Sequence, residues 1–376
     1  MRILFHDINF IPGLSRTIYL TKIRYWQEKG AEIGICCTKD AEFFYKKCLK
    51  NVSFFPLDFK YKIRGVYSLI WQVVKINFLA LLSLEKIRGK FDVVYSASSV
   101  IDFIFIPWVL KIMDGKIKWF VVVDNLVPPP SQRPGSWFRN TLPYLAFLLG
   151  ELMLKKADGI FVATDFLRKH YRKRGIKNVI KTGKTLGIEK EIFEGPIRAG
   201  TIKTDALYCG RLHLAKGIFD LVDVVKLIVA RKPSFRIGIL GDGEERIKKD
   251  FYIRIKKEGL EKNFYHFGYQ TGKKKGDILR LCGFFSFLSY DEGLPHAVVE
   301  ALACNKVIVA YDLPIYHEVF AQYLKTRQMI LFPEKDFYSI ADFILKTNFS
   351  ELHFDNKLED FSWDKIAEAE LKEMKL

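Results

Sequence analysis

Short apolar runs bounded by Gly, Pro, Asn or Asp recur along the chain and alternate with longer stretches of helical period, a pattern that predicts parallel strands joined by helices. The first run, within Met1–Asp7, reads as a strand. Ile8–Leu14 follows as a loop holding Gly13, and Ser15 can cap a helix running to Lys29, with Gly30 closing it. Ala31–Cys37 is the next strand, so the chain opens on a strand, helix, strand unit. Further strands are predicted near Val52–Phe55, Phe91–Tyr95, Ile117–Val123 and Gly159–Ala163. The proline-rich segment Asp124–Pro130 suits neither helix nor central strand, and as it directly follows an apolar strand it is expected at the same sheet edge as Gly13.

The pattern thins through Gly195, Pro196 and Gly200 and then starts afresh. Strands are predicted at Asp205–Cys209, Phe235–Leu240, Asn263–Gly268, Phe284–Ser289 and Lys306–Ala310. A helix carries Ile218, Leu221, Val222, Val225 and Ile228 on one face, Asp277–Cys282 reads as a short helix, and Pro295–Cys304 reads as another. Pro295 fits the first helical position and Asn305 the left-handed position that ends the helix. The fold class expected is α/β with two Rossmann-like domains, residues 1–198 and 199–361.

Length agrees, because 376 residues exceed one ordinary core, and 49% hydrophobic residues can fill two. The formal charge of +17 points to an anionic partner. Without zinc-finger spacing or an RNA-binding signature, nothing beyond charge supports nucleic acid, and none is expected as a partner. The cysteines at 36, 37, 48, 209, 282 and 304 lack metal-ligand spacing and read as small buried residues of a reducing compartment. With too short an apolar core at its start for a signal peptide, the chain is expected in the cytoplasm.

Two segments are unusually apolar, Tyr67–Leu84 and Tyr144–Leu154. Lys75 and Asn77 at the centre of the first argue against a membrane span. Core helices of a layered domain are one reading, and shallow insertion into a bilayer is the other. Beyond them, Arg168, Lys169, Arg172, Lys173, Arg174, Lys177, Lys181 and Lys184 fall within 17 residues, either a solvated helix face or the footprint of an anionic surface.

The candidate chemistry lies on loops that follow strands of the second half. Gly210-Arg211-Leu212-His213-Leu214-Ala215-Lys216-Gly217 sets glycines for close approach beside Arg and Lys for charge, the makeup of a diphosphate clamp, although a polar turn with two solvated cations has the same composition. Glu292 stands on a loop before a helix N-terminus, where free N–H groups attract phosphate or sugar oxygens. Glu300 lies four residues after His296, on the same helix face. A carboxylate there can accept bonds from two neighbouring hydroxyls, as a ribose requires, while by themselves both glutamates equally suit solvated charges near a positive helix end.

Taken together these residues resemble the retaining glycosyltransferases of family 4, whose fold is glycosyltransferase B. The resemblance rests on Gly210-Arg211-Leu212 with Lys216-Gly217, Gly241-Asp242-Gly243-Glu244, Phe267-Gly268, and Glu292-Gly293-Leu294-Pro295 with Glu300-Ala301-Leu302-Ala303. It covers residues 187–367 well and is generic before them. It implies that Arg211 and Lys216 neutralise the donor diphosphate, that Glu300 holds the ribose, and that Glu292 with the amides of Gly293 and Leu294 holds the transferred sugar. Gly210, Gly241, Gly243 and Pro295 would belong to the donor site, Phe267 and Gly268 would flank the base, and Gly13 would let its loop approach the phosphates. Asp124-Asn125 stands where the family often has a His-Asp pair, so Asp124 would orient acceptor or donor sugar, or merely cap its loop. The segment Phe361–Ala367 resembles the family's closing helix, which implies that residues 362–376 cross back onto the first domain.

No cofactor is expected, the nucleotide sugar being a substrate, and with no Asp-x-Asp anywhere no metal is indicated. The expected partners are a nucleoside diphosphate sugar and a lipid-linked or cell-envelope glycan acceptor, with an anionic inner-membrane face as a further one. The competing readings are a nucleotide-sugar epimerase or hydrolase of the same fold, and a basic surface-binding protein without activity.

Overall fold

The computed structural model describes residues 1–8, 17–59, 66–123, 126–132, 137–182, 187–189, 193–357 and 361–376. They form two compact units, Met1–Thr185 with Trp363–Leu376, and Leu186–Ser362.

The first unit is a parallel sheet of β1 (Arg2–Asp7), β2 (Glu32–Thr38), β3 (Val52–Leu57), β4 (Val93–Ser96), β5 (Lys118–Val123), β6 (Gly159–Val162) and β7 (Val179–Lys181). Its order is β3-β2-β1-β4-β5-β6-β7. Right-handed crossovers made in opposite directions from the centre place helices on both faces. One face carries α1 (Thr17–Glu28), α2 (Lys39–Cys48) and the C-terminal helix Trp363–Lys375, packed through Leu20, Ile23, Tyr45 and Leu371. The other carries α3 (Val66–Leu82), α4 (Leu84–Ile87), α5 (Ile101–Met113), α6 (Trp137–Leu154) and α7 (Asp165–Lys173), packed through Ile76, Ile104, Leu154 and Leu167. Strands sandwiched in this way are buried on both faces, which is why they read as unbroken apolar runs.

The C-terminal helix is held by a buried pair: Lys22 Nζ of α1 lies 2.7 Å from Glu370 Oε1, and the Tyr95 hydroxyl donates to Glu370 Oε2 at 2.9 Å. Trp26 Nε1 donates to the Ala367 carbonyl at 3.0 Å.

The second unit is a parallel sheet of β8 (Ala206–Cys209), β9 (Ile237–Leu240), β10 (Phe264–Gly268), β11 (Phe284–Phe287), β12 (Ile308–Tyr311) and β13 (Met329–Phe332), in the order β10-β9-β8-β11-β12-β13. Between them run α8 (Ile218–Val229), α9 (Glu245–Lys257), α10 (Gly272–Leu281), α11 (His296–Ala303), α12 (Pro314–Val319), α13 (Ala321–Lys325) and α14 (Phe337–Lys346).

Several details differ from the sequence-based expectation. Residues 187–189 and 193–198, read as the end of the first domain, pack with the second unit: Ile188 bridges to Ser362, Arg280 Nη1 donates to the Phe193 carbonyl at 2.7 Å, and Arg198 Nε donates to Asp277 at 2.8 Å. Helix α10 begins at Gly272, five residues before the predicted Asp277, after Thr271 as N-cap. Pro295 is the N-cap of α11 with a non-helical ψ of 101°, not its first helical residue. Asn305 does take the left-handed conformation, at φ 58°. Cys36, Cys37, Cys209 and Cys282 are buried, and burial pushes the Cys36 and Cys209 thiols up to about 12. Among the described residues no helix is long and apolar enough to cross a membrane.

Candidate functional site

In the second sheet the strand order reverses between β8 and β11, and in such sheets ligands bind beyond the carboxyl ends of the strands at the reversal. The segment leaving β8 is Gly210–Gly217 and the segment leaving β11 is Leu288–Pro295. Both sets of sequence-predicted charges therefore start from neighbouring strand ends.

Backbone bonds fix the first segment. Gly210 N donates to the Leu240 carbonyl at 3.0 Å and Leu212 N to the Asp242 carbonyl at 2.9 Å, so it runs alongside the turn after β9. Gly241 and Gly243 permit that approach, because a Cβ at 241 would lie 2.0 Å from the Gly210 oxygen and one at 243 would lie 2.3 Å from the Leu212 oxygen. These two glycines thus pack loop against loop. The Tyr208 hydroxyl donates to the Arg211 carbonyl at 2.8 Å, and His213 Nδ1 accepts from Ala215 N at 3.2 Å. Burial and the neighbouring Arg211 and Lys216 hold His213 below the ordinary histidine value, which matches a ring nitrogen acting as acceptor. Gly217, at φ 62°, joins the single turn Leu214–Lys216 to α8, and a Cβ there would fall 1.9 Å from the Leu288 oxygen.

The second segment is tied to the first. Ser289 Oγ donates to the Ala215 and Asp291 carbonyls, each at 3.1 Å, and Tyr290 N donates to the Ala215 carbonyl at 3.0 Å. These bonds take Leu288 and Ser289 out of the sheet, which is why β11 ends two residues before the predicted Ser289. Asp220, in the first turn of α8, accepts from the Tyr290 hydroxyl and from the Tyr311 hydroxyl, the latter at 2.6 Å. As a result Lys216 Nζ lies 2.5 Å from Glu292 Oε1. Arg211 is exposed, and its guanidinium has no acidic partner among the described residues.

Glu300 is 3% exposed on α11. Lys275 Nζ of α10 sits 2.6 Å from both of its carboxylate oxygens, and His296 Nδ1 lies 3.4 Å from Oε1. Burial pushes this carboxyl up, but the Lys275 charge, aided by His296, outweighs it and holds the group down at about 2. Burial likewise disfavours the Lys275 ammonium, and the Glu300 charge prevails and raises it above the ordinary lysine value. Glu300 is therefore a fixed, ionised acceptor. Burial, with smaller contributions from the charges of Glu292 and Glu300, raises the Tyr208 hydroxyl and the Cys209 thiol respectively.

Of the residues expected near a base, Gly268 is left-handed at φ 68° and its carbonyl accepts from Gly241 N at 3.0 Å. The Phe267 ring packs over Gly238, where a Cβ would lie 2.6 Å from it. Leu294 packs against the core of the unit, and Gly293 precedes it on the approach to α11. Gly13 and Asp124 lie outside the described residues.

Sequence reasoning missed Lys275, Asp220 and Ser289. Lys275 is the third of Lys273-Lys274-Lys275, a run that reads as a solvated face, and only the pairing of α10 with α11 distinguishes it.

Comparison with known proteins places this arrangement in context. Residues 189–348 match the family described as glycosyl transferases group 1. An uncharacterized glycosyltransferase of Methanocaldococcus jannaschii is 28% identical over 225 residues, 57% of this chain and 52% of that protein. The GDP-mannose:cellobiosyl-diphosphopolyprenol alpha-mannosyltransferase of Xanthomonas campestris is 24% identical over 128 residues, 34% of this chain and 33% of that protein. The match thus spans about half the length of the first relative and a third of the second. Among solved structures, HepE of Anabaena in complex with UDP and glucose superposes with a TM-score of 0.66 at 14% identity, covering 100% of this chain and 95% of the other. That likeness establishes the fold as two parallel-sheet Rossmann-like domains of the glycosyltransferase B kind.

Proposed function

We propose that this chain is a retaining, metal-independent glycosyltransferase of family 4, moving a sugar from a nucleoside diphosphate to a lipid-linked or cell-envelope glycan acceptor at the cytoplasmic membrane face. The observation that carries the reading is the contact between Lys216 and Glu292 at the strand-order reversal, with the Lys275-held Glu300 on the next helix. A nucleotide sugar has one diphosphate joined directly to one sugar. A cation for the first and a carboxylate for the second, 2.5 Å apart, match that connectivity. The match of residues 189–348 to glycosyl transferases group 1 supports the same class, and the xanthomonad relative, named for GDP-mannose and a diphosphopolyprenol acceptor, supports the donor and acceptor classes.

In the reaction the bond between the anomeric carbon and the diphosphate oxygen breaks as an acceptor oxygen bonds to that carbon, and the acceptor's proton leaves with the diphosphate. Negative charge builds on the leaving oxygen, so preorganised cations stabilise the transition state more than the ground state. Arg211 and Lys216 supply them. Glu300 accepts from the ribose hydroxyls, and Glu292 with the Gly293 and Leu294 amides positions the sugar.

Thermal shift with a panel of nucleoside diphosphates tests the donor half. A ligand at a hundred times its dissociation constant adds about 2.7 kcal/mol. Lys216→Ala and Glu300→Ala are each expected to abolish the shift. Transfer of labelled sugar to a membrane extract, with the anomeric configuration retained, tests the rest. If both variants respond like the wild type, or no diphosphate shifts the protein, the assignment fails.

A further inference from the structure

The apolar segments of the first unit are core helices on one side only. Along α3 the inner positions Gln72, Ile76 and Ala80 are buried, while Trp71, Val74, Phe78 and Leu82 face outward, Trp71 at 68% and Phe78 at 58% exposure. Spacings of three and four residues put these four on one stripe about 16 Å long, from a rise of 1.5 Å per residue. On α6, Met153 and Leu154 enter the core, while Leu145, Leu149 and Leu152 form a second outward stripe. Helix α5 lies between, touching both, and exposes Ile112 and Met113 at its end. All three helices share one face of the sheet. Exposed apolar side chains grouped on one face, rather than scattered singly, mark interaction surfaces.

Helix α7 borders α6, held there by Glu151, which pairs with His170 at 2.9 Å and with Arg174. Its outer side carries Lys169, Arg172 and Lys173, all exposed; the Lys169 charge helps to lower the Asp165 carboxyl one turn before it, and Arg172 and Lys173 form no ion pair among the described residues. Lys75 on α3 and Lys155 and Lys156 at the end of α6 add exposed cations to the rim.

We infer that the face formed by α3, α5, α6 and α7 docks on an anionic lipid bilayer, with the α3 and α6 stripes entering the interface and the α7 cations held by phosphate headgroups. Apolar stripes flanked by cations, on helices unable to span, define an interfacial mode of binding. A second copy is disfavoured as occupant, because it would set one chain of net charge +17 against another. The inference deepens the lipid-linked acceptor reading but stands on different residues from the donor site.

The test is co-sedimentation of the full chain with phosphatidylcholine vesicles containing about one-third phosphatidylglycerol, and with pure phosphatidylcholine. The expected result is binding to the anionic vesicles only, weakened by salt. A variant carrying Trp71→Gln, Phe78→Gln and Leu149→Gln should lose at least tenfold in affinity. A variant carrying Lys169→Gln, Arg172→Gln and Lys173→Gln should lose about a hundredfold, from about fivefold per cation. Both variants should keep the wild-type thermal shift with nucleoside diphosphate, which separates a failure of docking from a failure of the donor assignment. Wild-type binding by either variant, no binding by the wild type, or a light-scattering dimer that the first variant dissolves would overturn the inference.

Discussion

Replacing Lys275 by Met probes the most consequential contact of the site, the one that keeps Glu300 charged inside the protein. The carboxyl is lowered from 4.5 to about 2, although burial alone would raise it. At about 1.4 kcal/mol per unit, that shift is worth about 3 kcal/mol of stability. Because the folded value is depressed, this contribution is fully present above the ordinary carboxylate value and is lost as pH falls through about 2. In Lys275→Met the weaker contact with His296 remains and burial dominates, so the carboxyl moves above 4.5. The variant should be about 3 kcal/mol less stable near neutral pH, and its deficit should shrink toward about pH 4 as Glu300 takes up a proton. Adding Glu300→Gln should recover most of the loss, because a neutral pair leaves no buried charge unpaired. Urea unfolding at several pH values measures this, with hydrogen exchange in α10 and α11 assigning the transition to the second unit. A loss under about 1 kcal/mol, or a deficit that grows on acidification, would refute the pairing as the source of the shift.

Other perturbations separate packing from chemistry. Gly241→Ala forces a methyl within 2.0 Å of the Gly210 carbonyl at φ 147°, and should destabilise by about 2–4 kcal/mol in urea unfolding while altering no charge of the site. His6 is buried with Nδ1 bonded to the Phe103 carbonyl at 3.0 Å, and burial lowers it to about 4. Its folded form resists protonation while the unfolded chain accepts a proton below the ordinary value. Stability should therefore fall by about 3 kcal/mol from about pH 7 to about pH 4, and His6→Gln should flatten that slope. Glu370→Gln leaves the Lys22 ammonium buried beside Tyr95 and the Trp363 ring with no carboxylate to balance it, and should lower stability by about 3 kcal/mol or more, read as early melting and loss of hydrogen-exchange protection in Trp363–Lys375.

Strand positions were legible because these sheets are covered on both faces, so that Phe284–Phe287, Ile160–Val162 and Trp119–Val123 stand out as apolar runs without any partner being known. β13 and helices α12 to α14 were not: the strand has four residues, three of them only partly buried, and it looks like any short apolar run. The boundary between units was placed too late for a related reason. Residues 193–198 carry no local signal of where they pack, and what holds them is Arg280 and Arg198, in bonds that span more than seventy positions of sequence.

The site divides along the same line. Side chains on loops directly after strands, Arg211, Lys216 and Glu292, are brought to one edge by the alternation of strand and helix alone, so their neighbourhood follows from the pattern. Which cation each glutamate takes does not. Glu292 and Glu300 stand eight residues apart, yet one pairs with Lys216, 76 positions before it, and the other with Lys275, 25 positions before it. That choice is made by strand order: β11 sits beside β8, whose loop carries Lys216, while α10 leads into β11 and lies against α11. Reversal of order between β8 and β11 thus does more than open a crevice. It gives two nearby carboxylates different partners: Glu292 takes the cation of the loop after β8, and Glu300 takes that of the helix leading into β11.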